Sequence, residues 1–241
     1  AKSFYDRLVG WDIEPRQAGE MDYRKIRVGD GEHVGGVMRL TDEMLLHGAR
    51  PVWLGYVAVD DVDDTVNRIE AQGGKTHLPG FDIPGVGRIA MVTDPQDNPF
   101  YVMKPTPPKG DEDKKSTAFS TSAIGHVNWN ELATADPLAA RQFYGGTFGW
   151  TSDQFMPMGE LGEYRFFAHH GTTIGAVSGC VEGTPAGWRY YVRVPSISNA
   201  VDAVKTGGGT ISMGPHEVPD GDHIIIGNDP QGAEFALVGK P

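Results

Sequence analysis

The feature that most constrains this chain is a repeat. The stretch from Trp53 to Lys104 recurs almost in step from Trp188 to Lys240. Trp53 matches Trp188, Tyr56 matches Tyr191, and Val57-Ala58-Val59 matches Val192-Arg193-Val194. Further on, Val62 and Val66 match Ile197 and Val201, Gly73-Gly74 matches Gly208-Gly209, and Asp94-Pro95-Gln96 matches Asp229-Pro230-Gln231. Every pair lies 135 positions apart. A fixed period of this kind marks a duplicated structural unit. The 241 residues therefore read as two domains of ordinary size.

Local signals supply the elements. Phe4, Tyr5, Leu8 and Val9 have helical spacing, stopped by Gly10, and the run matches Phe143-Tyr144 to Gly149-Trp150. In the second copy Asp136 is placed to cap the helix and Pro137 to fill its first turn. A strand over 124–132 precedes that helix. The first copy has three residues before Phe4, so a preceding strand is expected in the native protein. Short β segments follow each helix, at 11–14, 23–28 and 33–38 and at 150–155, 162–169 and 172–178. The valines at 57 and 59, and at 192 and 194, form one face of a strand packed on helices over 62–72 and 197–206. The chain thus divides into four strand-helix-strand-strand-strand modules. The expected domains are 1–105 and 123–241. The proline-rich and then charged segment 106–122 is the expected linker.

Four βαβββ modules in pairs, with F-Y-x-x-x-x-G-W early and D-P-x-G/D-x-x-F late in each pair, resemble the vicinal oxygen chelate superfamily. That group includes glyoxalase I, extradiol dioxygenases and bleomycin-resistance proteins, and the tandem form resembles actinobacterial glyoxalase-like antigens and hydroxylases. The resemblance covers nearly the whole chain. It implies an α+β fold: two glyoxalase/bleomycin-resistance-type domains with U-shaped mixed sheets, helices outside and a ligand cavity on the concave side. It also implies metal ligands at set positions. A His from the opening strand falls on Trp129, and a His or Gln from the next module falls on Leu54 and Arg189. A Glu from the last strand falls on Tyr101 and Ala236. Hydrophobic, aromatic or cationic residues stand where ligands are needed, so no metal and no cofactor is expected. The reaction cannot be taken from the fold alone.

The candidate ligand-binding residues are Trp129, Glu131, Arg189, Tyr191, Arg193, Tyr56 and Tyr101. Glu131 shares strand parity with Trp129. It either hydrogen-bonds or deprotonates a ligand, or it pairs with Arg189 or Arg193, since buried carboxylates are usually paired. Tyr56, Tyr101 and Tyr191 face the expected cavities, whereas Trp53 and Trp188 face the helices. One residue in each of Tyr23-Arg24 and Tyr164-Arg165 must face inward; an inward arginine could clamp an anion, an outward one only solubilises. His169 and His170, adjacent on a strand, are expected on opposite faces. Cys180 has no obvious base beside it and reads as inert. Parity alone assigns a charged cup (Glu131, Arg189, Arg193) to the second domain, with Arg189 as an anionic anchor. It assigns an apolar cup (Leu54, Tyr56, Ala58, Tyr101) to the first.

Bulk properties set outer limits. A net charge of -11 makes nucleic acid an unsuitable partner. The expected partner is a small organic molecule. No apolar run reaches the ~20 residues of a bilayer span, and a single cysteine fits the reducing cytoplasm. These residues do not set the oligomeric state; a monomer with two pseudo-equivalent domains satisfies the repeat. The expected function is metal-independent binding of small organic molecules in concave cavities. The alternative is a metal-dependent lyase of glyoxalase type or a ring-cleaving dioxygenase with unconventional ligands.

Overall fold

The computed structural model describes residues 1–16, 22–107, 110, 116–181 and 185–241. In chain order the elements are α1 (Lys2–Val9), β1 (Asp12–Ile13), β2 (Tyr23–Arg27), β3 (His33–Met38), α2 (Asp42–Leu46), β4 (Tyr56–Ala58), α3 (Val62–Ala71), β5 (Lys75–Ile83), β6 (Gly87–Thr93), β7 (Pro99–Pro105), β8 (Val127–Thr134), α4 (Pro137–Phe148), β9 (Phe155–Pro157), β10 (Glu163–His169), β11 (Thr172–Gly179), β12 (Gly187–Ser196), α5 (Ile197–Thr206), β13 (Thr210–Glu217), β14 (His223–Asn228) and β15 (Glu234–Lys240). The fold is α+β, with more strand than helix and open mixed sheets. Part of the expected linker, residues 108, 109 and 111–115, lies outside the described residues.

The local signals act as the side chains dictate. Asp136 accepts from the Ala139 amide and Pro137 opens α4, while Gly10 and Gly149 end α1 and α4 in the left-handed conformation. Asp61 caps α3 and Ser196 caps α5 in the same way. The strand expected over 124–132 runs from Val127 to Thr134. In place of the one expected over 150–155, the strand runs over Phe155–Pro157, overlapping the expected range at Phe155.

Each complete module has one topology. Its first and last strands are parallel neighbours, joined through a helix and two antiparallel strands. The orders are β4-β7-β6-β5, β8-β11-β10-β9 and β12-β15-β14-β13. The first module contributes α1 and the antiparallel strands β1-β2-β3.

The chain forms two compact units, and each draws on both halves of the sequence. Unit 1 contains Ala1–Trp53, Ser116–Trp129 and Arg189–Pro241, and unit 2 contains Leu54–Lys115 and Asn130–Trp188. In unit 1, Phe4, Tyr5, Leu8 and Val9 of α1 and Ile197, Ala200 and Val204 of α5 share a core with Ile13, Ile26, Val194, Ile225 and Leu237. In unit 2, Val62 and Ile69 of α3 and Phe143 and Tyr144 of α4 do the same with Val92, Phe100, Val102, Leu132 and Phe167. Each of the Val, Leu, Ile and Phe side chains among them contributes on the order of 1.5–3 kcal/mol by leaving water.

Candidate functional site

Strand alternation assigns the remaining faces. In unit 2, Val57, Ala90, Val92, Phe100 and Val102 point to the core under the helices. The residues between them, Tyr56, Met91 and Tyr101, therefore lie on the helix-free face. Tyr56 and Tyr101 are register partners across the parallel β4/β7 pair. Their rings stack at 4.6 Å between centroids and 6° between planes. Register extends the same face to Met103 (partner of Ala58), to Leu78 (partner of Met91) and to Phe81 (partner of Ile89). Leu78 is 43% exposed and Phe81 38%. Burial raises the Tyr101 phenol above its ordinary range, which keeps it a neutral donor.

The other sheet of unit 2 presents a second helix-free row, in which Glu131 pairs with Ala176 and Ala176 with Phe166. Tyr164 packs edge-on against Phe166 at 5.8 Å and donates its hydroxyl to Glu131 Oε2 at 2.8 Å. In the Tyr164-Arg165 pair it is thus the tyrosine that meets Glu131. Arg165 bonds Glu163 at 2.7 Å and lies 4.4 Å over the Phe155 ring. Arg24 is held by both oxygens of Asp22 at 2.8 Å. That guanidinium pulls the Asp22 carboxyl below its ordinary range.

Unit 1 treats its equivalent face differently. Tyr191 pairs in register with Ala236. Both are buried with Ile226 and Val238, and Trp129, Met213 and Ile224 pack against them. Tyr191 is 4% exposed, against 49% for Tyr56, its equivalent in the repeat. Arg189 Nε donates to Glu234 Oε1 at 2.8 Å and its Nη2 to Oε2 at 3.3 Å. Arg193 is bonded to Asp222, whose other oxygen meets Lys240 at 2.7 Å. Hydrogen bonds from Lys240 and then Arg193 hold the Asp222 carboxyl below its ordinary range, against the opposing effect of burial.

The seven candidate residues therefore divide between the units. Trp129, Arg189, Tyr191 and Arg193 belong to unit 1, and Tyr56, Tyr101 and Glu131 to unit 2. The charged cup expected from parity mixed these sets, joining Glu131 of unit 2 to Arg189 and Arg193 of unit 1, whereas the residues of the apolar cup, Leu54, Tyr56, Ala58 and Tyr101, all fall in unit 2. Sequence reasoning passed over Leu78, Phe81, Met91 and Met103. For Met91 and Met103 the alternation in β6 and β7 was the available signal. For Leu78 and Phe81 there was none, because β5 shifts register on both sides of Leu78 and breaks the two-residue period. His169 and His170 also depart from expectation. His170 sits at the turn with φ 48°, and the two rings lie 4.0 Å apart. Burial, then His170, lowers the His169 pKa.

At the positions where a metal ligand would stand, Leu54, Trp129 and Ala236 offer no donor for a metal, Arg189 is a cation, and Tyr101 is a phenol raised by burial. These residues do not fit a divalent cation. Among the described residues no three His, Cys, Asp or Glu side chains converge as a metal site, and no helix is long and apolar enough to cross a membrane.

Comparison with known proteins agrees with this architecture. Residues 123–237 match the family model described as the Glyoxalase/Bleomycin resistance protein/Dioxygenase superfamily. CFP32 of Mycobacterium bovis, named provisionally as a glyoxylase, is 30% identical over 100% of this chain and 89% of its own length. The anthracycline biosynthesis protein DnrV of Streptomyces peucetius is 30% identical over 98% of this chain and 86% of its own. Among solved structures, homoprotocatechuate 2,3-dioxygenase from Brevibacterium fuscum, in its substrate complex, superposes with a TM-score of 0.63 at 16% identity. That match covers 99% of this chain and 75% of the dioxygenase, a likeness of fold. On the full-length 30% relationship, the repeated modules and the family match, this chain belongs to the glyoxalase/bleomycin resistance protein/dioxygenase superfamily.

Proposed function

We propose that this protein binds a flat, largely apolar organic molecule on the helix-free faces of unit 2, without a resident metal. One arrangement carries the reading. On the helix-free face of unit 2, Tyr56 stacks on its register partner Tyr101 at 4.6 Å between ring centroids, beside Met91. An aromatic wall with a few polar groups is the usual surface for a small organic ligand, and offset stacking rewards a planar one. Tyr164 and Glu131 supply the polar groups. Arg189 and Arg193 of unit 1 are engaged by Glu234 and Asp222, which supports placing the ligand in unit 2 and not on Arg189. The single, exposed, free Cys180 supports a reducing, cytoplasmic setting.

Calorimetry with uncharged tricyclic aromatics tests this. Binding at one equivalent, weakened at least about ten-fold in Tyr56→Ala and unchanged by exhaustive dialysis against a chelator, is the expected result. Binding equal in wild type and Tyr56→Ala refutes the site. Binding lost on chelation and restored by a divalent ion establishes the metal-dependent alternative.

A further inference from the structure

We infer that Tyr101 determines specificity in unit 2 by donating a hydrogen bond to a carbonyl oxygen on the flat ligand, so that the preferred ligand class is a planar aromatic ketone or quinone. This deepens the reading of unit 2 as the binding unit and rests on it. The surroundings of Tyr101 carry the inference. Its register partners are Tyr56 on one side and Met91 on the other, so the phenol stands within an aromatic and thioether face. No hydrogen bond to its hydroxyl is found among the described residues, whereas Tyr5, Tyr144 and Tyr164 each donate to a carboxylate. A half-buried hydroxyl in apolar surroundings gains most from a partner that arrives with the ligand. The partner must be an acceptor that lies in the plane of a stacked ring, and a ring carbonyl meets both requirements. Burial keeps the phenol protonated, so it donates and does not repel the carbonyl lone pairs. At the position where the family resemblance implies a metal-binding carboxylate, this chain thus carries a neutral hydrogen-bond donor.

Fluorenone and fluorene have the same tricyclic outline and differ at the carbonyl, which makes them a matched pair of probes. Wild-type protein is expected to bind fluorenone about five- to ten-fold more tightly than fluorene. In Tyr101→Phe, which keeps the ring and removes the hydroxyl, the two affinities converge. The carbonyl stretch of bound fluorenone should fall below its frequency in an apolar solvent for wild type alone. Equal affinities in wild type, or a preference that survives in Tyr101→Phe, overturn the inference and leave the binding unit standing. If the variant does not fold, an unshifted stretch in wild type overturns it equally. If neither compound binds wild type, the binding unit and the inference fall together.

Discussion

Tyr144 donates its hydroxyl to Asp94 Oδ2 at 3.0 Å across 50 positions of chain, and the same hydroxyl accepts from Trp188 Nε1 at 2.9 Å. Unit 1 repeats the arrangement, with Tyr5 donating to Asp229 at 3.1 Å and accepting from Trp53 at 2.9 Å. The aromatic motif from one half of the sequence is therefore tied to the Asp-Pro motif of the other half. Asp94 is fully buried and also accepts from the Gln96 and Asn98 amides and from Asn98 Nδ2. A carboxylate with that many donors is satisfied inside a core where it would otherwise be costly.

Tyr144→Phe leaves the ring in place and removes both hydroxyl bonds. It should destabilise unit 2 by about 2 kcal/mol, and Tyr5→Phe should cost unit 1 a similar amount. Urea denaturation of the purified variants measures this. A midpoint unchanged in both would mean that the Trp-Tyr-Asp relay contributes nothing.

Gly175 pairs with Asn130 across β8 and β11, and a Cβ at this position would overlap the Asn130 carbonyl oxygen. The parallel pair cannot admit a side chain without separating. Gly175→Ala should therefore lower stability by about 1–3 kcal/mol. Gly179→Ala, four residues on and with nothing within 4 Å, should change stability little. Similar melting curves for the two variants would contradict the close approach.

Tyr56 and Tyr191 should respond oppositely to truncation. Tyr191→Ala opens a cavity in the cluster with Ile226, Ala236 and Val238 and should cost about 3 kcal/mol of stability. Tyr56→Ala, at a half-exposed site, should alter stability by less than about 1 kcal/mol while weakening ligand binding. Thermal melts and calorimetry on both variants decide this, and a larger loss of stability in Tyr56→Ala would reverse the assignment of the open face.

Asp222 gives a pH dependence of defined sign. Its folded-state pKa lies below the ordinary aspartate value of 3.8. Its ion pairs with Arg193 and Lys240 therefore add stability that is fully present above that value and is lost as pH falls through the folded pKa. Wild type should exceed Asp222→Asn in stability at neutral pH, and the gap should close on acidification below about 4. A gap that stays constant into strong acid would show that charge is not its source.

The sequence by itself determined the four modules, the cap at Asp136, the glycine stops at Gly10 and Gly149, and the helix-side placement of Trp53 and Trp188. Each of these depends on neighbours a few residues away or on a period of two or 3.6, which a linear reading can detect. It also carried the superfamily, because the order and repetition of the motifs follow from the topology of the module. Only the tertiary structure decided which modules share a core. Periodicity identifies an apolar face and leaves open which other apolar face covers it. As a result Glu131 and Arg189, assigned by parity to a single cup, belong to different compact units, and Glu131 accepts from Tyr164 while Arg189 is held by Glu234. The same holds for Tyr56 and Tyr191. They are one residue type at equivalent positions of the repeat, and what separates the exposed ring from the buried one is the residues packed over it. Tyr101 stands opposite Tyr56 where Ala236 stands opposite Tyr191, and Trp129 from another module packs against the cluster that buries Tyr191, a contact no local period announces.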